Sequence, residues 1–486
     1  MRNVLPLSAW VLLFAQLPLF ANGIEVTNLQ FTGEAGNVAD LSFTVAWENS
    51  WRLDAGPTNY DAAYIFGKYR IAGGNWHPML FLTIANPSGN ATVERPAAAS
   101  QGFLAYRSAV GSGNASFNLT VQWDYGAVGV DGISDVETKI FAIEMVYVPE
   151  GAFSVGDGHT DNSQFYQGQG EFPYEAFAPY VITSEDRIII SIYDLLYDGA
   201  MYSGDQLGPL PAEYPKGFGD FYCMKYETSQ QQWVDFFNTL TPTQQANLDV
   251  TGPNGKNSDA VVKRNGVSWD GSSPATTSLP YVAMNYTPNT FMLAYLDWAG
   301  LRPLTELEYE KACRGPIVPI TQEYAWGTAK IYTNFSTYYT LGGAGTASEV
   351  ITNPVVGTGN AAYGNLTPGG DPLRTGIFAA SAANTTREET GGSYYGIMEL
   401  SGNLIERCVS VGDPNNRTFT GLSGDGIITE SGRADVRYWP TSGLSLRGGA
   451  IGLSLSTLQV SDRTYGSYTG STFLFANGIR GAITAP

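Results

Sequence analysis

The first part of the chain alternates between apolar and polar residues with a period of two. The alternation is clearest at residues 41–47, 63–69 and 117–123. Successive side chains of a β-strand point to opposite faces, so this period is typical of half-buried strands. Clusters of Gly, Asn and Pro, such as residues 85–90, separate the segments. The pattern predicts an antiparallel β-sandwich over residues 24–144.

Helical patterns appear almost only in the second part of the chain, residues 145–486. Residues 228–229 can cap a helix through residues 232–237, and residues 289–298 carry a second helical pattern. Thr305 and Glu308 form a capping box for a third helix, because each side chain can bond the other residue's amide. The rest of this part is Gly-rich loop and short strand.

Residues 1–23 have the pattern of a secretory signal peptide. Arg2 supplies the positive charge, residues 4–20 are apolar but contain two prolines, and small residues follow at the cleavage positions. No later apolar run approaches the roughly 20 residues of a membrane-spanning helix. We therefore expect a secreted protein, extracellular or at the cell surface, with no membrane span.

The charge balance narrows the choice of partners. The chain has 26 Lys and Arg against 45 Asp and Glu, a net charge of −19. Such a chain repels phosphate backbones and anionic lipid, so we expect no nucleic-acid partner. Calcium, cationic groups and neutral sugars remain open as partners.

Cysteine and histidine are scarce. The cysteines are Cys223, Cys313 and Cys408, and the histidines are His77 and His159. The cysteine spacing excludes a CxxC motif, while one disulfide plus a spare thiol or three buried thiols both remain open. Apolar neighbours favour buried thiols. Two histidines cannot form a three-histidine metal centre within one chain.

Seven motifs follow one another in the second part of the chain. They are MVYVPEGAFSVG (145–156), KYETS (225–229), WAGLRPLTELEYEKACRG (298–315), YAWG (324–327), YGIMELSGNLIE (395–406), RGG (447–449) and GIR (478–480). In this order they resemble the sulfatase-modifying-factor, or formylglycine-generating enzyme, family. The resemblance covers residues 145–486 and implies an α+β, C-type-lectin-like fold that is poor in regular structure.

The resemblance also shows which chemistry to look for. Aerobic members of the family oxidise a sulfatase cysteine through two copper-binding cysteines that follow the RGG motif. Leu455 and Val460 stand at those positions here, and no cysteine follows Cys408. Soft Cu(I) requires thiolates, and the three-histidine iron site of related domains is also absent. We therefore expect neither copper nor iron, and a family scaffold without the family's reaction.

Calcium is the cofactor that the resemblance leaves in place. The family's calcium loop corresponds to Glu399, Gly402, Leu404 and Glu406, which together offer hard oxygen ligands around a tight turn. The loop departs from the family at Ile405 and Arg407, where aromatic residues are usual. The alternative is a glycine turn in which Glu406 pairs with a neighbouring arginine.

A second calcium site of the family begins with Asn followed by an apolar residue. Asn334 and Phe335 could begin it here, but no further ligands can be assigned.

Three functions remain open. The first is a non-catalytic extracellular binding module for a protein or glycan, since tyrosine-rich polar loops suit adaptable recognition. The second is a structural subunit of a surface layer, sheath or filament, whose partners are copies of itself. The third is an enzyme of unrecorded mechanism on this scaffold.

Overall fold

The structure, a computed structural model, describes residues 23–96, 101–158, 163–167, 178–190, 202, 204–205, 207–334, 336, 338–470 and 472–486. All of the predicted signal peptide except Gly23 lies outside these residues, as do His159 and Phe335. None of the helices in the described ranges is long and apolar enough to cross a membrane.

The first part of the chain is built of strands, as its alternating pattern predicts, and the three alternating segments lie in the second, third and eighth strands. The strands are β1 (Glu25–Ala35), β2 (Val38–Arg52), β3 (Asp61–Ile71), β4 (His77–Pro78), β5 (Phe81–Ala85), β6 (Ala91–Glu94), β7 (Gly102–Arg107), β8 (Gly111–Asp124) and β9 (Val136–Val148).

These strands form two antiparallel sheets that enclose one core. One sheet has the order β1-β2-β8-β5, and β9, β3, β7 and β6 are consecutive strands of the other. Phe43 and Val121 from the first sheet share a core cluster with Ile65 and Phe103 from the second. Side chains of β2 and β8 alternate between this core and the more exposed outer face. Strand β3 is buried on both faces, because its other face packs against the core of the second part of the chain.

The second part of the chain has short elements and long connections, which gives the predicted α+β fold. Its strands are β10 (Phe153–Val155), β11 (Tyr180–Ile182), β12 (Phe221–Met224), β13 (Val267–Ser268), β14 (Thr276–Thr277), β15 (Leu341–Gly342), β16 (Val350–Ile351), β17 (Glu406–Cys408), β18 (Ser445–Arg447) and β19 (Ala482–Thr484). Its helices are α1 (Gln230–Phe237), α2 (Pro242–Leu248), α3 (Asn289–Ala299), α4 (Glu306–Arg314), α5 (Ile377–Ser381) and α6 (Arg387–Thr390).

Strand β9 belongs to both parts of the molecule. It pairs with β3 along its length, from Val136 opposite Ile71 to Val146 opposite Asp61. Its last four residues also pair with β12, and β12 pairs in turn with β19 near the carboxyl end. The boundary expected after residue 144 therefore falls within a strand, and one continuous sheet joins the two parts.

A buried lysine reinforces this junction. Lys225 follows β12, and its Nζ lies 2.9 Å from Glu144 Oε2 and 3.1 Å from Asp61 Oδ2. The same Nζ lies 4.7 Å from the centre of the Trp51 ring. Burial disfavours the charged lysine, but the attraction of Glu144, Tyr226 and Asp61 outweighs burial and raises the pKa of Lys225. The motif residue Lys225 therefore ties the second part to the sandwich.

The three helices expected from the sequence form with the expected caps. Ser229 caps α1 and Thr305 caps α4, each through a capping box, and Gly300 ends α3 in a left-handed conformation. Helix α2 was not predicted, although Thr241 caps it with a third box and Pro242 occupies its first position. The sequence around Thr241 therefore contains the same capping-box pattern as the sequences that begin α1 and α4.

Helix α4 is buried and carries its carboxylates toward arginines from other segments. Glu308 completes the capping box and also pairs with Arg302, whereas Glu306 pairs with Arg463 and not with the helix cap. The ion pairs of these carboxylates are Arg302–Glu308 (2.6 Å), Arg447–Glu310 (2.5 Å), Arg463–Glu306 (2.9 Å), Arg314–Glu310 (3.0 Å) and Arg447–Glu306 (3.3 Å). These acids thus hold α4 to the segments around it.

The three cysteines are free thiols and are fully buried. Burial raises the pKa of Cys223 to about 12. This confirms the buried-thiol interpretation and leaves all three in their unreactive protonated form at neutral pH.

Candidate functional site

The expected calcium loop, residues 399–406, is a tight turn held from several sides. Glu399, Gly402 and Asn403 all have positive φ, at 55°, 101° and 64°. A Cβ on Gly402 would lie 2.8 Å from the carbonyl oxygen of Ala362, so only glycine fits there. The amide of Gly402 donates to the carbonyl of Gly448 at 2.8 Å, which joins this loop to the RGG motif.

The carboxylates of the loop face different partners. Glu399 Oε1 accepts a hydrogen bond from the amide of Gly376 at 2.9 Å, while its Oε2 is buried without a partner among the described residues. Glu406 Oε1 accepts from Arg480 Nε at 2.6 Å. The arginine pair that we considered as an alternative therefore exists, but Arg480 contacts only one of the two oxygens of Glu406.

A third carboxylate, that of Glu227, contacts this loop from another segment, and the sequence pattern did not predict this contact. Its Oε1 accepts from the amide of Leu404 at 2.8 Å, and its Oε2 accepts from the Asn403 side chain. Glu227 belongs to the KYETS motif, where it is the only acid. Its place in this motif could have marked Glu227 as a candidate residue. Its contact with a loop almost 180 residues away depends on the tertiary fold.

Burial raises the pKa of all three carboxyls, and repulsion from Glu406 adds to the shift of Glu399 and Glu227. Burial raises the pKa of Glu399 to about 7, and the pKa of Glu406 is also raised, chiefly by burial. Burial and then the charge of Glu406 raise the pKa of Glu227 well above its usual value. The positive charge of Arg480, which contacts Glu406, does not balance the three buried carboxyls. A cation bound beside them would therefore lower their pKa values.

Several oxygens of this loop are of the kind that calcium binds. Glu399 Oε2 has no partner, and the carbonyls of Gly402 and Leu404 accept no hydrogen bond from the described residues. Calcium binds carboxylate and carbonyl oxygens in flexible geometry. Glu399, Gly402, Leu404 and Glu406 would hold the ion, with Glu406 shared between the ion and Arg480.

The second expected calcium position has less structural support. Asn334 is exposed, and its Oδ1 accepts the amide of Ser336 at 3.0 Å in a local turn. Phe335 lies outside the described residues.

A cleft of about 710 Å³ lies beside Leu455, one of the two positions that the family resemblance assigns to copper-binding cysteines. Val460, the other position, is fully buried and does not line the cleft. Lining residues are Gln322, Tyr324, Ala329, Lys330, Ile331, Thr333, Thr358, Ser454, Leu455, Ser456 and Gln459. Of these, only Lys330 carries a full charge, and none is Cys, His, Asp or Glu.

The comparisons agree with the fold. The profile of the sulfatase-modifying factor enzyme 1-like domain matches residues 134–480. The match covers well over half of the chain and includes the whole of β9, so the chain belongs to this family. A comparison with curated proteins finds no match.

Proposed function

We propose that the chain is a secreted protein whose sulfatase-modifying-factor domain is an extracellular binding module for a protein or glycan, without the family's oxidation chemistry. Residues 1–23 support export, because their pattern is that of a signal peptide. The cleft beside Leu455 supports binding without catalysis, and it is the observation that carries the proposal.

This cleft offers a ligand room and hydrogen bonds but little reactivity. A serine nucleophile needs an adjacent base, yet the hydroxyls of Ser454 and Ser456 lie 3.1 Å apart and bond each other. Amide, hydroxyl and aromatic groups such as those of Gln322, Gln459 and Tyr324 provide adaptable contacts instead. Copper would need thiolates, and the three cysteines are buried elsewhere.

Calcium completes the proposal as a structural ion in the loop of residues 399–406. The free Oε2 of Glu399 and the raised pKa values of the neighbouring carboxyls support it. Calorimetric titration of chelator-stripped protein should show binding that Glu399→Gln weakens. A wild-type protein that takes up no calcium would remove this part of the proposal.

A blocking variant tests the binding proposal. Ser454 is exposed at the cleft, so Ser454→Trp should fill the cleft without disturbing the core. Ser88→Trp, in an exposed loop of the sandwich, is the matched control. On arrays of peptides and uncharged glycans we expect wild type and the control to bind the same ligand and Ser454→Trp to lose it. Equal binding by all three proteins, or binding by none, would overturn the proposal.

Self-assembly is the competing proposal, and the sandwich edge weighs against it. Strand β1 is an edge strand of 11 residues, long enough to add another chain. Its register with β2 shifts twice, between Thr27 and Gln30 and between Phe31 and Gly33. Such bulges protect exposed edges from further pairing. Light scattering should therefore give a monomer with calcium and with chelator, while a large calcium-dependent particle would favour the structural subunit.

A further inference from the structure

A second cleft, of about 620 Å³, opens at the amino end of helix α3 and shares no lining residue with the cleft beside Leu455. Lining residues come from residues 247–248, 253–254, 288–291 and 431–433, together with Thr441, Gly470, Leu474 and Asn477. None of these lining residues is acidic, although the chain has 45 acidic and 26 basic residues. Arg433 is the charged residue in the wall, so the cleft is positive in a strongly negative protein.

The amino end of α3 adds to this positive character. The helix begins after Pro288, and no side chain caps it. Phe291 and Met292 donate to the carbonyl of Pro288 at 3.0 and 3.1 Å, so the amides of Asn289 and Thr290 are the ones left without an acceptor within the helix. Both residues line the cleft. Free amides and the helix dipole favour an anion at such a point.

A buried arginine stands directly behind this helix end. Arg407 is 2% exposed and donates to Asn289 Oδ1 at 3.1 Å, to Thr287 Oγ1 at 3.1 Å and to the carbonyl of Gly478 at 2.7 Å. All three acceptors are neutral, and its Nε has no partner among the described residues. A buried cation thus touches the cleft wall through Asn289.

Two polar groups in the wall define what the ligand must offer. The guanidinium of Arg433 has no ion-pair or hydrogen-bond partner among the described residues, so it can take an anionic group. The Oδ1 of Asn477 is buried without a donor, and a carboxylate cannot supply one. A ligand that carries both an anionic group and hydroxyl donors satisfies both requirements.

We propose that this cleft binds an acidic sugar, with its carboxylate at the amino end of α3 and Arg433 and its hydroxyls on Asn477 and the neighbouring amide side chains. The site does not depend on the cleft beside Leu455. Ser454→Trp, which blocks that first cleft, should leave sugar binding at α3 unchanged.

Isothermal titration with sodium glucuronate tests the proposal. Arg433→Gln removes the charge in the cleft, and Arg437→Gln removes an exposed charge four residues away that does not line it. We expect wild type and Arg437→Gln to bind alike and Arg433→Gln to bind about tenfold more weakly. Glucose tests the need for the carboxylate, and acetate tests the need for the hydroxyls. Both should bind far more weakly than glucuronate.

Asn289→Asp provides a readout that does not depend on the ligand. An acid in the first turn of α3 stabilises the helix and gives Arg407 a charged partner, so the melting temperature should rise. The added negative charge at this helix end repels the carboxylate of the ligand, so glucuronate binding should weaken. The proposal is overturned by no glucuronate binding to wild type, by equal binding to the two arginine variants, by glucose or acetate binding as well as glucuronate, or by a lower melting temperature for Asn289→Asp.

Discussion

Replacing Lys225 by methionine tests the junction between the sandwich and the second part. Lys225 Nζ lies 2.9 Å from Glu144 Oε2 and 3.1 Å from Asp61 Oδ2, and all three side chains are buried. Methionine keeps the apolar stem but removes the charge. Asp61 retains three other hydrogen-bond donors. Glu144 keeps no side-chain partner among the described residues, because its Oε1 already has none.

The loss of stability depends on pH, because Glu144 can take up a proton. Breaking a buried ion pair costs about 3–5 kcal/mol. Burial raises the pKa of Glu144 from 4.5 to about 7 with Lys225 present, and loss of the lysine raises it further. A raised folded-state pKa contributes stability below the unfolded value and loses it as pH rises through the folded value. In wild type the loss of stability ends near pH 7, the pKa of Glu144 in the folded protein. In the variant this pKa is higher, so stability continues to fall above pH 7 by about 1.4 kcal/mol per pH unit.

Urea unfolding followed by tryptophan fluorescence measures this difference. Between about pH 7 and pH 9 the gap in unfolding free energy between wild type and Lys225→Met should widen by about 1.4 kcal/mol per unit. Adding Glu144→Gln to the variant removes the titrating group and should remove the slope. A gap that stays constant over this range, or a slope that persists in the double variant, would refute the reasoning.

Three further predictions concern the calcium loop and the thiols. Gly402→Ala should lower the unfolding free energy by about 2–3 kcal/mol in thermal or urea unfolding, since its φ of 101° and the nearby Ala362 carbonyl leave no room for a Cβ; an unchanged stability would contradict this. In chelator, Glu399→Gln should be more stable than wild type at pH 8 by about 1–3 kcal/mol and no more stable near pH 4, because the raised pKa of Glu399, about 7, makes its ionisation costly. A thiol reagent should label no cysteine in the native protein and three in urea; rapid native labelling would show that the thiols are accessible.

The sequence was most informative where structure is decided locally. The alternation in β2, β3 and β8 and the caps at Ser229 and Thr305 depend on near neighbours, so periodicity and capping chemistry predicted them. The motifs indicated the family for the same reason. Each is a short continuous stretch of sequence, so it can be recognised without knowledge of the tertiary structure.

The long-range features could not be predicted in this way. Nothing near β9 indicates that it pairs with β3 on one side and with β12 on the other. Glu227 contacts the loop of residues 399–406, and Arg407 contacts Asn289, only because the fold brings distant segments together. The ion pair of Glu306 with Arg463 could not be predicted for the same reason, since the two residues are 157 positions apart.

The central claim is that this member of the family binds ligands without the family's oxidation. The most direct test incubates the protein with Cu(I), air and a cysteine-containing sulfatase peptide, and follows the peptide by mass spectrometry and an aldehyde probe. We predict that the peptide is recovered with its thiol intact at every protein concentration. An aldehyde-bearing peptide that forms in proportion to the protein would contradict the claim.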